Sequence, residues 1–176
     1  LALLAKDQRR AELLAAVSRD QEVERLKRDS AKLEGYELGN PALVRRLLEA
    51  SLTDAVDRQC LSFFGSEYMV YWYALSRTSP GNAPASVSFR WHCDKGPHAH
   101  LKLLVYLNDY SEHGGGTSYL NLAGSAHVAR TGYMFARGRR RTDSLAELAR
   151  MAGSELAAYD HHPQAGDAVL FQPARV

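Results

Sequence analysis

The segment Leu101–Leu107 constrains the fold most tightly. Its odd positions, Leu101, Leu103, Val105 and Leu107, are all aliphatic, while His100, Lys102, Leu104 and Tyr106 occupy the even ones. Side chains alternate across a strand, so this period of two predicts a strand with one face pressed on an apolar layer. The other face carries a lysine at its centre. A buried unpaired charge is costly, so Lys102 needs an anionic partner, a wet cavity or open solvent. The minimum architecture is therefore a sheet with one dry face, one polar face and something packed on the dry one.

The rest of the chain divides near residue 62. Before it the sequence reads helical: Leu3, Leu4, Leu13, Leu14 and Val17 recur near helical spacing, and segment 20–34 is a charged stretch with a thin apolar stripe. Asn40-Pro41 marks a helix start, and Ser51-Leu52-Thr53-Asp54 resembles a capping box opening a helix toward Cys60. After residue 62 short strands are expected at 69–75, 86–94, 101–107, 117–120 and 168–171. Loop signals fall at 79–84, turns at Gly114-Gly115-Gly116 and Gly166-Asp167, and a capped helix at 143–158. We expect a helical region over 1–61 and a mainly β region over 62–176, a sandwich or barrel with packed helices.

Composition narrows the function classes. Lys+Arg 22 against Asp+Glu 20 is too balanced for a dedicated nucleic-acid binder. No apolar run approaches the roughly 20 residues that cross a bilayer. Leu1–Ala5 meets charged residues at once and is too short for a secretory signal core. Two cysteines support neither a disulfide scaffold nor a Cys-rich zinc site, so a cytoplasmic location is expected. Beginning at Leu1 and stopping at Val176 inside an apparent strand, the sequence is expected to be part of a longer polypeptide.

His92-Cys93-Asp94 is the sharpest local feature. On an extended segment, residues two apart share a face, so the imidazole and the carboxylate converge while Cys93 points away. One His and one carboxylate supply two corners of a facial triad for non-haem Fe(II). The plain alternative is a strand-end His beside an Asp in a turn.

Arg90-Trp91-His92-Cys93-Asp94, the strand from His100 to Asp109, Gly115-Gly116-Thr117-Ser118-Tyr119-Leu120, Gly124-Ser125-Ala126-His127 and Gly166-Asp167-Ala168-Val169-Leu170-Phe171 follow in order. Over about residues 68–176 this series resembles the Fe(II)/2-oxoglutarate-dependent oxygenases, specifically the phytanoyl-CoA dioxygenase-like branch. The resemblance implies a double-stranded β-helix, a cupin-like jelly roll with helices packed outside one sheet. It implies that His92 and Asp94 bind Fe(II), that a third ligand, a His, follows shortly after Val176, and that an Arg beyond it binds the far carboxylate of 2-oxoglutarate. It also implies that His127 lies in a turn at a strand end and is no ligand.

Softer candidates surround this pair. A dicarboxylate co-substrate would satisfy Lys102, and Thr117 and Tyr73 are further candidates for contact with 2-oxoglutarate or the pocket wall. Tyr71, Arg139 and Arg140 are candidates for a small-molecule substrate with an anionic group, since guanidinium groups match phosphate, sulfate and carboxylate. For each, core packing or a solvated surface is the alternative. The expected chemistry is O₂-dependent hydroxylation, or a related oxidation, of an unactivated C–H bond. The competing classes are an inactive β-helix binding module and a metal-dependent cupin-type isomerase or hydrolase.

Overall fold

A computed structural model describes residues 2–4, 32–34, 41–76, 89–94, 96–97, 99–114, 116–133 and 141–173. In chain order the elements are β1 (Ala2–Leu4), β2 (Lys32–Glu34), α1 (Pro41–Ser51), α2 (Asp54–Phe64), β3 (Ala74–Ser76), β4 (Lys102–Val105), α3 (Tyr110–His113), β5 (Thr117–Leu120), α4 (Leu122–Arg130), α5 (Leu145–Ala152), β6 (Ala158–His161) and β7 (Ala168–Phe171). Three antiparallel sheets result, β1-β7-β4, β2-β3 and β5-β6.

The β4–β7 register pairs Lys102 with Phe171, Leu103 with Leu170, Leu104 with Val169 and Val105 with Ala168. Directly opposed residues share a face. Leu103 and Leu170 therefore lie on one side, where with Leu101 they pack on Val56 and Cys60 of α2. This is the apolar layer that the alternation over 101–107 requires. Phe171 lies on the other side, its ring 5.1 Å from that of Tyr119 on β5. Helix α2, the β1-β7-β4 sheet and the β5-β6 ribbon are thus stacked in three layers.

Local chemistry explains the borders. Thr53 caps α2 by accepting from Val56 N, and Gly65 ends the helix at φ 65. Since α2 runs to Phe64, a boundary after residue 61 falls inside one helix that shares a core with β7. Gly166, at φ 90, makes the turn into β7, and Gln164 N donates to Asp167 Oδ2 across it.

Several elements differ from the sequence reading. The strand expected over 69–75 is only Ala74–Ser76, paired with β2. Residues 69–72 run irregularly and exposed, because aromatic composition makes no strand without a hydrogen-bonding neighbour. Residues 89–94 also form no strand; Trp91 N and Asp94 N donate singly to Thr142 O and Pro173 O instead of joining a ladder. Leu3 and Leu4 belong to β1, and Lys32–Glu34 to β2, where helix was expected. The helix expected to reach residue 158 stops at Ala152, since Gly153 takes φ 60 and closes it. His127 lies in α4, not in a turn: Asn121 Oδ1 accepts from Gly124 N at 2.7 Å and starts a helix there.

A second core joins Cys93, Leu120, Val128, Tyr133, Leu148 and Leu156 between α4, α5 and the 91–93 segment. Among the described residues no helix is long and apolar enough to cross a membrane.

Candidate metal centre

The second core fixes the direction of the His92 segment. Cys93 is buried in it, while His92 and Asp94 meet each other and stay partly exposed. Three ties hold the chain there. Trp91 N donates to Thr142 O at 2.9 Å, Asp94 N donates to Pro173 O at 2.8 Å, and the Tyr133 hydroxyl donates to Trp91 O at 3.0 Å. The same Tyr133 oxygen accepts from Thr142 N at 2.7 Å, so one phenol bridges two backbones.

His92 Nε2 and Asp94 Oδ1 end 3.2 Å apart. Nδ1 of His92 lies 2.6 Å from Arg90 O. A carbonyl only accepts, so Nδ1 carries the proton and Nε2 is the nitrogen presented to Asp94. This is how a metal-ligating histidine is usually held, by a second hydrogen bond that fixes its tautomer and ring plane. Two donors about 2.1 Å from one metal and at right angles lie about 3.0 Å apart, close to the observed separation. The pair therefore fits two adjacent corners of a metal ion's coordination shell. Among the described residues, no group of three His, Cys, Asp or Glu side chains gathers at one point.

The electrostatics follow from the contacts. When Nε2 is protonated as well it donates to Asp94 Oδ1; that hydrogen bond raises the His92 pKa, burial opposes it, the Arg90 carbonyl adds to the rise, and a metal would have to displace the Nε2 proton. Asp94 is held well below the usual carboxylate range, first by its hydrogen bond with His92, then by Lys102, with burial acting against both. Lys102 Nζ donates to Asp94 Oδ2 at 2.8 Å. The anion that the sequence demanded for this lysine is thus present in the chain itself.

A second polar cluster lies between the sheets. The Tyr106 hydroxyl donates to Thr117 Oγ1 at 3.1 Å, and the Tyr106 ring lies 5.2 Å from that of His161. Thr117 and His161 are opposed across the β5–β6 ribbon. Among the described residues His161 Nε2 and Tyr119 Oη are buried without a full hydrogen bond, the Tyr119 phenol lying near Tyr106 and Thr117. Burial pushes His161 down and Tyr119 up, Tyr106 reinforcing the latter. Unpaired buried polar atoms are uncommon, and two beside a hydroxyl pair mark a place suited to water or a polar ligand.

Of the residues singled out from sequence, His92, Asp94 and Lys102 are brought together, and Thr117 joins the inter-sheet cluster. Tyr71, 61% exposed, and half-buried Tyr73 form no hydrogen bond with His92, Asp94 or Lys102. Arg139 and Arg140 lie outside the described residues. Tyr106, Tyr119 and His161 are not among the site candidates singled out from sequence; His161 precedes β7 and reads there only as a poor substitute for the third ligand. The even-position pattern signals Tyr106, but His161 is revealed only by the pairing of β6 with β5.

The chain matches no family model, no curated protein and no solved structure.

Proposed function

We propose that the protein is an Fe(II)/2-oxoglutarate-dependent dioxygenase that oxidises an unactivated C–H bond of a small-molecule or lipid-like substrate. The observation that carries this reading is the 3.2 Å approach of His92 Nε2 to Asp94 Oδ1, with Nδ1 committed to Arg90 O. A ferrous ion held there supplies O₂ activation coupled to decarboxylation of 2-oxoglutarate. His92 and Asp94 provide adjacent ligands, and the buried Cys93 side chain anchors the segment between them. The co-substrate's far carboxylate is assigned to the polar groups of Thr117, Tyr106, Tyr119 and His161. An anionic group on the substrate is assigned to Arg139 and Arg140, and a further substrate contact to Tyr71.

The fold proposed with this function is a double-stranded β-helix with α2 outside one sheet. Anaerobic titration tests the function. Fe(II) and 2-oxoglutarate together are expected to give a visible charge-transfer band that neither gives alone. Absence of that band in an iron-binding protein would favour the isomerase or hydrolase class. Absence of iron binding altogether would favour the binding module.

A further inference from the structure

The β5-β6 ribbon and the β1-β7-β4 sheet are separate sheets with no ladder between them, and side chains join the two. Thr117 opposes His161 and Tyr119 opposes Tyr159, so all four share one face of the ribbon. On that face Tyr119 lies against Phe171, and Tyr106 meets both Thr117 and His161. Phe171 is paired with Lys102, so the ribbon covers part of the sheet face from which Lys102 also rises. We propose that His161 is a proton-operated latch: its protonation in mildly acid solution releases the β5-β6 ribbon from the sheet while the α2 core stays closed. The inference requires no metal and no co-substrate.

Burial and the lack of a partner carry it. His161 is 4% exposed, and its Nε2 has no hydrogen-bond partner among the described residues. A neutral ring forgoes one hydrogen bond there. An imidazolium needs acceptors for both ring N–H groups and brings a charge that burial leaves poorly solvated. The surroundings compensate little. Tyr106 presents its ring at 5.2 Å and donates its hydroxyl proton to Thr117, while the Tyr159 ring stacks at 6.2 Å. The Tyr119 phenol is held protonated by burial. Asp160 is bonded to Ser118 on the ribbon's other face, and Tyr110 of α3 stacks on His162. Asp167 favours a charged His161 but already accepts from Gln164 N, and His162 opposes that charge. Opening the ribbon hydrates the imidazolium by parting side-chain contacts alone. The Val56–Leu170 core stays packed, so the opening is local and cheaper than global unfolding.

The test is amide hydrogen exchange at about pH 7.5 and about pH 5.5, with rates corrected for their intrinsic pH dependence. Protection over 117–120 and 158–161 is expected to fall about tenfold at the lower pH, since an exposed imidazole takes up its proton near pH 6.5. Amides over 56–60 in α2 should keep their protection. His161→Gln and His161→Phe should each make ribbon protection independent of pH. An NMR titration of the His161 ring in the wild-type protein, which needs no variant to fold, should have its midpoint below about pH 6.5. A fall smaller than about threefold, or an equal fall in α2, overturns the inference. So does a pH dependence that persists in a folded variant, or a ring that titrates at or above the ordinary value with the ribbon still protected.

Discussion

The hydrogen bond from His92 Nδ1 to Arg90 O decides which nitrogen meets Asp94, and through it whether the pair can share a metal. His92→Ala is expected to abolish tight Mn(II) binding, measured by the loss of free-ion EPR signal on titration. Retained affinity would remove His92 from the ligand set. His161 leads to a pH prediction. Burial lowers its folded-state pKa below the ordinary histidine value, with Asp167 pulling the other way and His162 adding to the fall. The unfolded chain therefore binds the proton more readily, and stability must rise with pH across that interval. The His161 contribution is undiminished above about pH 6.5 and declines as pH falls toward the lowered pKa. Denaturant melts between about pH 5 and 7 should show this slope, and His161→Phe should flatten it.

At the scale of elements, the His92 segment is fastened by a phenol. Tyr133→Phe removes the bridge between Trp91 O and Thr142 N, leaving both without that partner. Each lost partner costs about 1–3 kcal/mol where it stays buried, and metal affinity should weaken although no ligand is altered. Isothermal titration with Mn(II), alongside chemical melts, separates these two effects; unaltered affinity would make Tyr133 purely structural. Leu148 on α5 is fully buried in the same core, and Leu148→Ala should cost about 2–5 kcal/mol by chemical denaturation. Sequence patterning reaches such elements unevenly. The Ser144 cap, the Gly166 turn and strands β4, β5 and β7 are legible because their signals are local, whereas the capping box expected from Ser51 is displaced: Ser51 ends α1 and Thr53 is the cap. The approach of His92 to Asp94 was expected from strand alternation, but residues 89–94 form no strand and single bonds to Thr142 O and Pro173 O hold that segment instead. The Lys102–Asp94 bond is not legible locally, since it depends on how two segments eight residues apart are brought back together. The irregular path over 69–72 was illegible for a related reason: strand formation depends on a neighbour that composition cannot name.

The whole molecule divides its burial between two cores with the candidate centre attached to both. Cys93 anchors the metal segment to the α4–α5 core, while Leu103 and Leu170 anchor the lysine's sheet to α2. Loosening either core should therefore disturb the centre, and Val56→Ala on α2 offers the remote case. Val56 is fully buried against Leu170, so the variant should be less stable by about 1–3 kcal/mol in urea. Stability within about 0.5 kcal/mol of wild type would contradict the packing of α2 on this sheet. The functional claim has its own direct measurement. Incubated with Fe(II), 2-oxoglutarate and O₂, the protein should release succinate, and His92→Ala should release none above the protein-free background. Succinate formed equally by the His92→Ala variant, or by neither protein, would contradict an oxygenase built on His92 and Asp94.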